Sequence, residues 1–160
     1  MKLLVIGSEG FIGNALIKHL EHFGYEIYGC DFTRQSLLGY RFIQNNKNPH
    51  FWNELFAENH FDYCVNAAGK SNVVDSFKDS FADFDFNVVE TGRILDSIKN
   101  FKPDCKYIHI SSAAVYGNPV SLPVSEHSPV QPLSPYGWNK YISEQICLSY
   151  YKLFGVQSLI

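Results

Sequence analysis

The chain has 160 residues, the size of one domain with a single sizeable core, and 46% of them are hydrophobic against 18% charged, which excludes a disordered chain and predicts a soluble globular one. A net charge of -3 and a pI of about 6.0 give no electrostatic case for nucleic acid or an anionic membrane surface as partner. No apolar run approaches the ~20 residues of a membrane span, and Met1 leads directly into an apolar strand, so no signal peptide is expected.

Lys2-Leu3-Leu4-Val5-Ile6 is short enough to be a buried strand. Gly7-Ser8-Glu9-Gly10-Phe11-Ile12-Gly13 follows at once. A helical pattern then places Ile12, Ala15, Leu16, Leu20 and Phe23 on one face, with Gly24 in position to end it. A second strand, Glu26 to Cys30, ends in Asp31. Strand, glycine turn, helix, strand, acid is the context that a dinucleotide-binding fingerprint requires. Gly7 permits the tight turn, Gly10 a close approach of backbone to a pyrophosphate, and Gly13 close packing of helix on strand. Free N–H groups at the helix start, those of Phe11 and Ile12 among them, face the anion, and the helix dipole favours it by roughly 0.3–1 kcal/mol. Asp31 is placed to accept hydrogen bonds from a ribose 2′-hydroxyl and to repel a 2′-phosphate, which favours NAD over NADP. Arg34, three residues on, could relax that preference.

Phe32 to His50 is polar and weakly periodic, with a short third strand at Tyr40-Arg41-Phe42-Ile43. Pro49 to His60 reads as a short helix with Trp52, Leu55 and Phe56 on one side. Phe61 to Asn66 is a fourth strand, and the small residues Ala67-Ala68-Gly69 at its end leave space for a cofactor beside the first glycine turn, since ligands of open parallel sheets bind outside the carboxyl ends of the strands. Val73 to Phe101 holds one long helix or two in series, with a stripe of Val88, Val89, Ile94, Leu95 and Ile98. Asn87 within it could bond backbone or position a water, although most mid-helix Asn residues are merely exposed. Cys105 to Ile110 is a fifth strand, ending in Ser111-Ser112-Ala113-Ala114-Val115-Tyr116-Gly117. Asn118 to Leu133, rich in proline, is a loop. Ser134 suits an N-cap and Pro135 the first helical position of a helix running to Gly155, and Val156 to Ile160 begins a sixth strand. Cys30, Cys64, Cys105 and Cys147 are far apart with no C-x-x-C pair, so buried reduced thiols are expected, with no metal site and a cytoplasmic setting.

Tyr136 and Lys140 are four apart and share a helix face. An ammonium so close favours a phenolate, which equips a tyrosine as a base nearer neutrality. Lys140 is also placed to bond nicotinamide ribose hydroxyls, and Ser112, on the neighbouring strand end, to bond the substrate oxygen that gains or loses the proton.

Together these residues resemble the extended short-chain dehydrogenase/reductase family, the NAD-dependent epimerases and dehydratases of nucleotide sugars. The resemblance spans all 160 residues and is carried by Gly7-x-x-Gly10-x-x-Gly13, Asp31, Ala67-Ala68-Gly69, Asn87-Val88 before Thr91, Ser112 to Gly117, Glu126 and Ser134-Pro135-Tyr136-x-x-x-Lys140. It implies Ser112, Tyr136 and Lys140 as the catalytic triad, with Tyr136 and Lys140 also touching the cofactor, and a homodimer built from the helix through Asn87 and the helix carrying Tyr136. Ile94, Ile98, Tyr141 and Leu148 are the apolar residues expected to serve that interface. The 4,6-dehydratases of the family carry an Asp-Glu pair after the Ser/Thr; in this chain Ala113 and Ala114 stand there, which argues against a dehydratase. Family members also continue for well over a hundred residues beyond this point, and those residues build most of the sugar-nucleotide pocket.

The resulting expectation is a three-layer α/β fold with a doubly wound parallel sheet in the order 3-2-1-4-5-6 and residues 1–160 as one NAD-binding Rossmann domain. The implied chemistry is that of a 4-epimerase acting on a nucleotide sugar, truncated so that the cofactor site is kept and efficient turnover is lost. A reductase or decarboxylase of the same family, or a non-catalytic NAD-binding or dimerising fragment, are the rival readings.

Overall fold

The computed structural model describes residues 1–35 and 39–160; the part of the Phe32–His50 reading that falls on residues 36–38 lies outside them. Six parallel strands, β1 (Lys2–Ile6), β2 (Glu26–Asp31), β3 (Arg41–Gln44), β4 (Tyr63–Asn66), β5 (Lys106–His109) and β6 (Ser158–Leu159), form one sheet in the order 3-2-1-4-5-6. Helices α1 (Phe11–Leu20), α2 (Phe51–Glu58), α3 (Val73–Lys78), α4 (Ser80–Phe84), α5 (Glu90–Phe101) and α6 (Pro135–Phe154) cover its two faces. The fold class, strand order and third strand are as the sequence predicts.

Strand parity divides the core. Leu4 and Ile6 of β1 point to one side and join Tyr28, Cys30, Phe56, Phe61, Cys64, Leu95, Ile98 and Tyr107, beneath α2, α5 and α6. Val5 points to the other and packs with Ile17 and Ile27, beneath α1. Each such side chain, fully buried, is worth about 1.5–3 kcal/mol. All four cysteines are buried free thiols in or beside the first cluster. Burial pushes the thiols of Cys105 and Cys147 up to about 12 and also raises those of Cys30 and Cys64 well above the ordinary thiol range, which leaves them small apolar side chains.

Two helix faces differ from the sequence expectation. On α1 the buried residues are Gly13 and Ile17, while Ile12, Ala15 and Phe23 are exposed. The cause is Gly13: a Cβ there would stand 2.1 Å from the Gly7 carbonyl oxygen, so the helix rolls its glycine, not its bulky first turn, onto β1. Between Val73 and Phe101 the chain forms neither one helix nor two. Asn72 and Asp79 each cap a short helix through their side chains, and a π-helical turn at Asp85–Val89 joins α4 to α5. A residue gained in a π turn advances the phase by about 100°. Ile94 and Ile98 accordingly face the protein's own core, at 1% and 0% exposure, and are unavailable to a dimer interface.

The close contact at Gly13 yields a prediction. Gly13→Ala is expected to cost on the order of 1–3 kcal/mol, the usual range for overpacking against unyielding atoms; a urea unfolding midpoint equal to that of the parent chain would contradict it.

Candidate functional site

The carboxyl ends of β1, β2 and β4 open onto one cleft. It is lined by Ile6, Gly7 and Gly10 of the first turn, Asp31 and Phe32 at the end of β2, Asn45, Trp52, the run Asn66-Ala67-Ala68-Gly69 after β4, and Phe86, Glu90 and Ile94 from the helix above. The sequence-predicted cofactor residues Gly7, Gly10, Asp31, Ala67, Ala68 and Gly69 are thus brought together. Gly7 takes φ +79°, and a Cβ on it would meet the Ala68 amide nitrogen at 2.6 Å. Only glycine therefore lets the β1 turn and the β4 end lie against each other.

Gly10 is the N-cap of α1 and supplies no side-chain acceptor, so the N–H groups of Phe11, Ile12 and Gly13 receive no cap from a side chain. The Phe11 and Ile12 side chains are themselves exposed. Asp31 is anchored to the turn it faces: Oδ2 accepts from the Glu9 amide at 3.0 Å and Oδ1 from the Phe32 amide at 2.8 Å. The Arg34 guanidinium lies over the rings of Tyr40 and Phe42, at 5.3 and 5.4 Å from their centroids. An uncapped helix start, a glycine turn packed too closely on the protein's own backbone to admit a Cβ at Gly7 or Gly13, and a carboxylate at the tip of the second strand together fit a dinucleotide.

Ser112, Tyr136 and Lys140 stand at the neighbouring strand end, outside the lining of that cleft. Ser112 closes a 3-10 turn at Ala113–Tyr116, its Oγ accepting from the Ala114 amide at 3.2 Å and keeping its own proton to donate. Ser134 caps α6 by accepting from the Gly137 amide at 3.0 Å, with Pro135 in the first turn, as the sequence predicts. Gly137 seats the start of α6 on the 3-10 turn, where a Cβ would lie 2.7 Å from the Ala114 carbonyl oxygen. That contact brings the helix bearing Tyr136 and Lys140 against the turn bearing Ser112.

Lys140 is buried, and its ammonium is held by two groups at the carboxyl end of β5: Nζ donates to the carbonyl of Ile110, just past the strand, at 2.6 Å and lies 3.2 Å from His109 Nε2. Burial draws its pKa down to about 8, opposed by Cys147, Glu144 and Asp83. His109 Nδ1 is 3.3 Å from the Tyr107 hydroxyl, which accepts from Asn66 Nδ2 at 2.9 Å. Burial, and then the Lys140 charge, push His109 down to about 3.

Sequence reading missed this chain of buried polar groups, and one more. Asp83 Oδ1 accepts from Asn87 Nδ2 at 3.1 Å and from Asn139 Nδ2 at 2.7 Å. Asn87 is buried at the π turn, not exposed; its amide also donates to the Lys70 carbonyl, and its own carbonyl accepts from the hydroxyls of Thr91 and Ser143, both at 2.8 Å. Asn87 Oδ1 lies next to Gly69 and, with Asp83 Oδ2, is a buried acceptor that takes no hydrogen bond from the described residues. The available signal for His109 was its strand parity with Tyr107, which puts an imidazole on a core-facing position. Among the described residues no three His, Cys, Asp or Glu side chains converge as a metal set, and no helix is long and apolar enough to cross a membrane.

The sequence family described as GDP-mannose 4,6 dehydratase matches residues 4–160. The chain belongs to the NAD-dependent epimerase/dehydratase group of the extended short-chain dehydrogenase/reductases. It is 32% identical to a putative UDP-glucose 4-epimerase of Methanocaldococcus jannaschii, over 99% of this chain and 53% of that protein. Among solved structures, this epimerase/dehydratase domain superposes on UDP-glucose 4-epimerase from Brucella ovis in complex with NAD with a TM-score of 0.92, at 27% identity, over 98% of this chain and 50% of that one. UDP-glucuronic acid 4-epimerase from Bacillus cereus, in complex with UDP-glucuronic acid and NAD, gives 0.85 at 30% identity, over 100% and 55%. The chain spans about half the length of the curated relatives it matches.

The buried imidazole has a consequence for stability. The folded pKa of His109, about 3, lies below its ordinary 6.5, so as pH falls through that window the unfolded chain takes up a proton the folded chain refuses, and stability is lost. Between pH 7 and 4.5 His109 alone should account for about 2–3 kcal/mol of that loss. Urea unfolding at the two pH values, compared between the parent chain and His109→Phe, measures it; equal losses in both would assign the acid sensitivity elsewhere.

Proposed function

We propose that this chain is the cofactor-binding part of an NAD-dependent nucleotide-sugar epimerase of the 4-epimerase type. The observation that carries the reading is that the uncapped glycine turn and Asp31 stand at one strand end while Ser112, in the turn after β5, and Tyr136 and Lys140, on α6, stand at the neighbouring one. The phosphates would lie on the N–H groups of Phe11, Ile12 and Gly13, and a ribose on Asp31. Ala67, Ala68 and Gly69 would give the cofactor room, and Lys140 would hold the ribose at the nicotinamide end.

When bound, NAD supplies a hydride acceptor that can return the hydride to the other face of the sugar. The protein's part is positioning and proton transfer. The Tyr136 phenolic oxygen takes the proton of the sugar hydroxyl being oxidised and gives it back when the carbonyl is reduced. The Ser112 hydroxyl, free to donate because its lone pair serves the Ala114 amide, bonds that same oxygen. Lys140 contributes a positive charge on the Tyr136 face of the helix. Although the matching family bears the name of a dehydratase, elimination of water needs an acid and a base beside the serine, and Ala113 and Ala114 supply neither. The named relatives are 4-epimerases, which favours epimerisation over the reductase and decarboxylase readings.

Calorimetric titration tests the cofactor assignment. NAD is expected to bind more tightly than NADP, and Asp31→Ala to narrow the gap by weakening NAD; NADP binding as tight as NAD would remove Asp31 from the ribose-binding role. Turnover of UDP-glucose in the presence of NAD, lost in Tyr136→Phe with cofactor affinity kept, would establish the chemistry. NAD binding without turnover in the parent chain would favour a non-catalytic cofactor-binding module.

The assembly proposed is a homodimer through α6 and the α3–α5 segment. Phe77, Phe81, Trp138, Leu148 and Tyr151 are exposed on these helices, a larger apolar display than isolated surface residues make. Light scattering is expected to give twice the 18.2 kDa chain mass, and Trp138→Lys to shift it toward monomer; a monomeric mass at high protein concentration would contradict the dimer.

A further inference from the structure

Lys140 is a donor-only group, 3% exposed, at the end of a parallel sheet. Such a group must find acceptors inside the protein. The Ile110 carbonyl is one, at 2.6 Å. The second is a side chain, His109 Nε2 at 3.2 Å, itself 2% exposed. The imidazole cannot turn away, because the Tyr107 hydroxyl stands 3.3 Å from its other nitrogen and the two rings stack at 26°. The Tyr107 oxygen is fixed in turn by Asn66 Nδ2, and the Asn66 amide cannot flip, because its Oδ1 accepts from the Ala68 amide at 3.2 Å. Each link determines the next, from the end of β4, across β5, to α6.

We propose that His109 is a positioning residue for Lys140: held as the neutral tautomer with its proton on Nδ1, it accepts an ammonium N–H at Nε2 and, with the Ile110 carbonyl, leaves one N–H of Lys140 for the cofactor ribose. The role toward the ribose rests on the proposal that this chain binds NAD; the tautomer and the coupling do not. The choice of an imidazole has a chemical reason. A carboxylate in that position would fix the ammonium by charge and raise its pKa. A neutral acceptor orients the group without adding charge, so the lysine can still exchange a proton close to neutrality, where burial has brought it. An ammonium cannot accept a hydrogen bond, so while Lys140 is charged the bare nitrogen of His109 must be Nε2.

The groups that face this pair come from four elements. From α6 come Tyr136 one turn before Lys140, and Glu144 and Cys147 after it; from α4, Asp83; from β5, Tyr107; from β4, Asn66. Glu144 is engaged by the Ser111 hydroxyl and Asp83 by the Asn87 and Asn139 amides, so neither replaces His109 as the partner of the ammonium.

Imidazole nitrogen-15 spectra of the unliganded chain test this directly, with the His109 signals assigned by their loss in His109→Gln. The expected result is a protonated Nδ1 and a bare Nε2 at pH 7, no protonation of the ring near 6.5, and a step in the Nε2 shift near pH 8 that vanishes in Lys140→Met. A protonated Nε2 at pH 7, a ring that titrates near 6.5, or a step that survives Lys140→Met would overturn the proposal. A second arm reads NAD affinity. His109→Phe keeps the ring volume and is expected to weaken binding about three- to tenfold, the value of one lost hydrogen bond, His109→Gln to recover part of it, and His109→Phe to have no further effect in Lys140→Met. Unchanged affinity in His109→Phe would overturn the positioning role. Absence of NAD binding to the parent chain would strike the cofactor reading alone, with the spectra of the unliganded chain still deciding the coupling.

Discussion

The site depends on two places where backbone meets backbone with no side chain between. The Gly7 turn lies against the β4 end so tightly that a Cβ would come within 2.6 Å of the Ala68 amide, and the first turn of α1 lies against Gly7 so tightly that a Cβ on Gly13 would come within 2.1 Å of its carbonyl. These contacts bring the N-terminus of α1 over the gap between β1 and β4. In a parallel sheet of order 3-2-1-4-5-6 the chain reverses its winding there, which opens a crevice between the helices that depart from β1 and β4. Asp31 arrives at the same place because β2 is the other neighbour of β1, and its carboxylate is locked by the Glu9 amide of the turn itself. Sterics at two glycines thus fix the position of the uncapped amides, the carboxylate and the empty space together.

The opposite side of the site is held by buried polar groups. Lys140, His109, Tyr107 and Asn66 form one series, and Asp83, Asn87 and Asn139 another. Groups of this kind contribute little net stability, since desolvation offsets most of what their hydrogen bonds return. They do define geometry, because each has few alternative partners. The π turn belongs to the same arrangement. By widening the helix at Asp85–Val89 it buries Asn87 and presents its carbonyl to the hydroxyls of Thr91 and Ser143, so the π turn, α5 and α6 are joined at one backbone oxygen.

Most of the fold was legible in the sequence, and for a definable reason. Strand positions, the glycine turn, Asp31 at the end of β2, the Ser134-Pro135 start and the Gly155 stop are local signals, and all are realised, although β4, β5 and β6 are shorter than the apolar runs that mark them. The errors arose where a local signal was overridden by something distant. Ile12 and Phe23 belong to an apolar stripe on α1, but the roll of that helix is set by Gly13 against Gly7, and the stripe lost. The family resemblance assigns Ile94 and Ile98 to a dimer interface, but with Leu95 they are the stripe that α5 buries against the protein's own core. His109, Asp83 and Asn139 were invisible for another reason: a polar residue in a strand or helix reads as solvated until its partners from other elements are known.

The two halves of the site therefore impose different requirements on sequence. The cradle is made of backbone, and leaves the side chains at Phe11 and Ile12 free to vary, at 93% and 48% exposure, whereas Ser8 beneath it is fully buried. The side that holds Lys140 is made of side chains that fit one another, so a change at one member forces a change at the next. Replacing Tyr107 leaves an Asn66 N–H without its acceptor and releases the His109 ring, which in turn frees the Lys140 ammonium to rotate about the Ile110 carbonyl. The distance from Asn66, which lines the cleft at the β4 end, to Lys140, which does not, is crossed by three buried contacts between polar side chains. That continuity gives the β4 end, where the cleft begins, a physical connection to the group that sets the charge beside Tyr136.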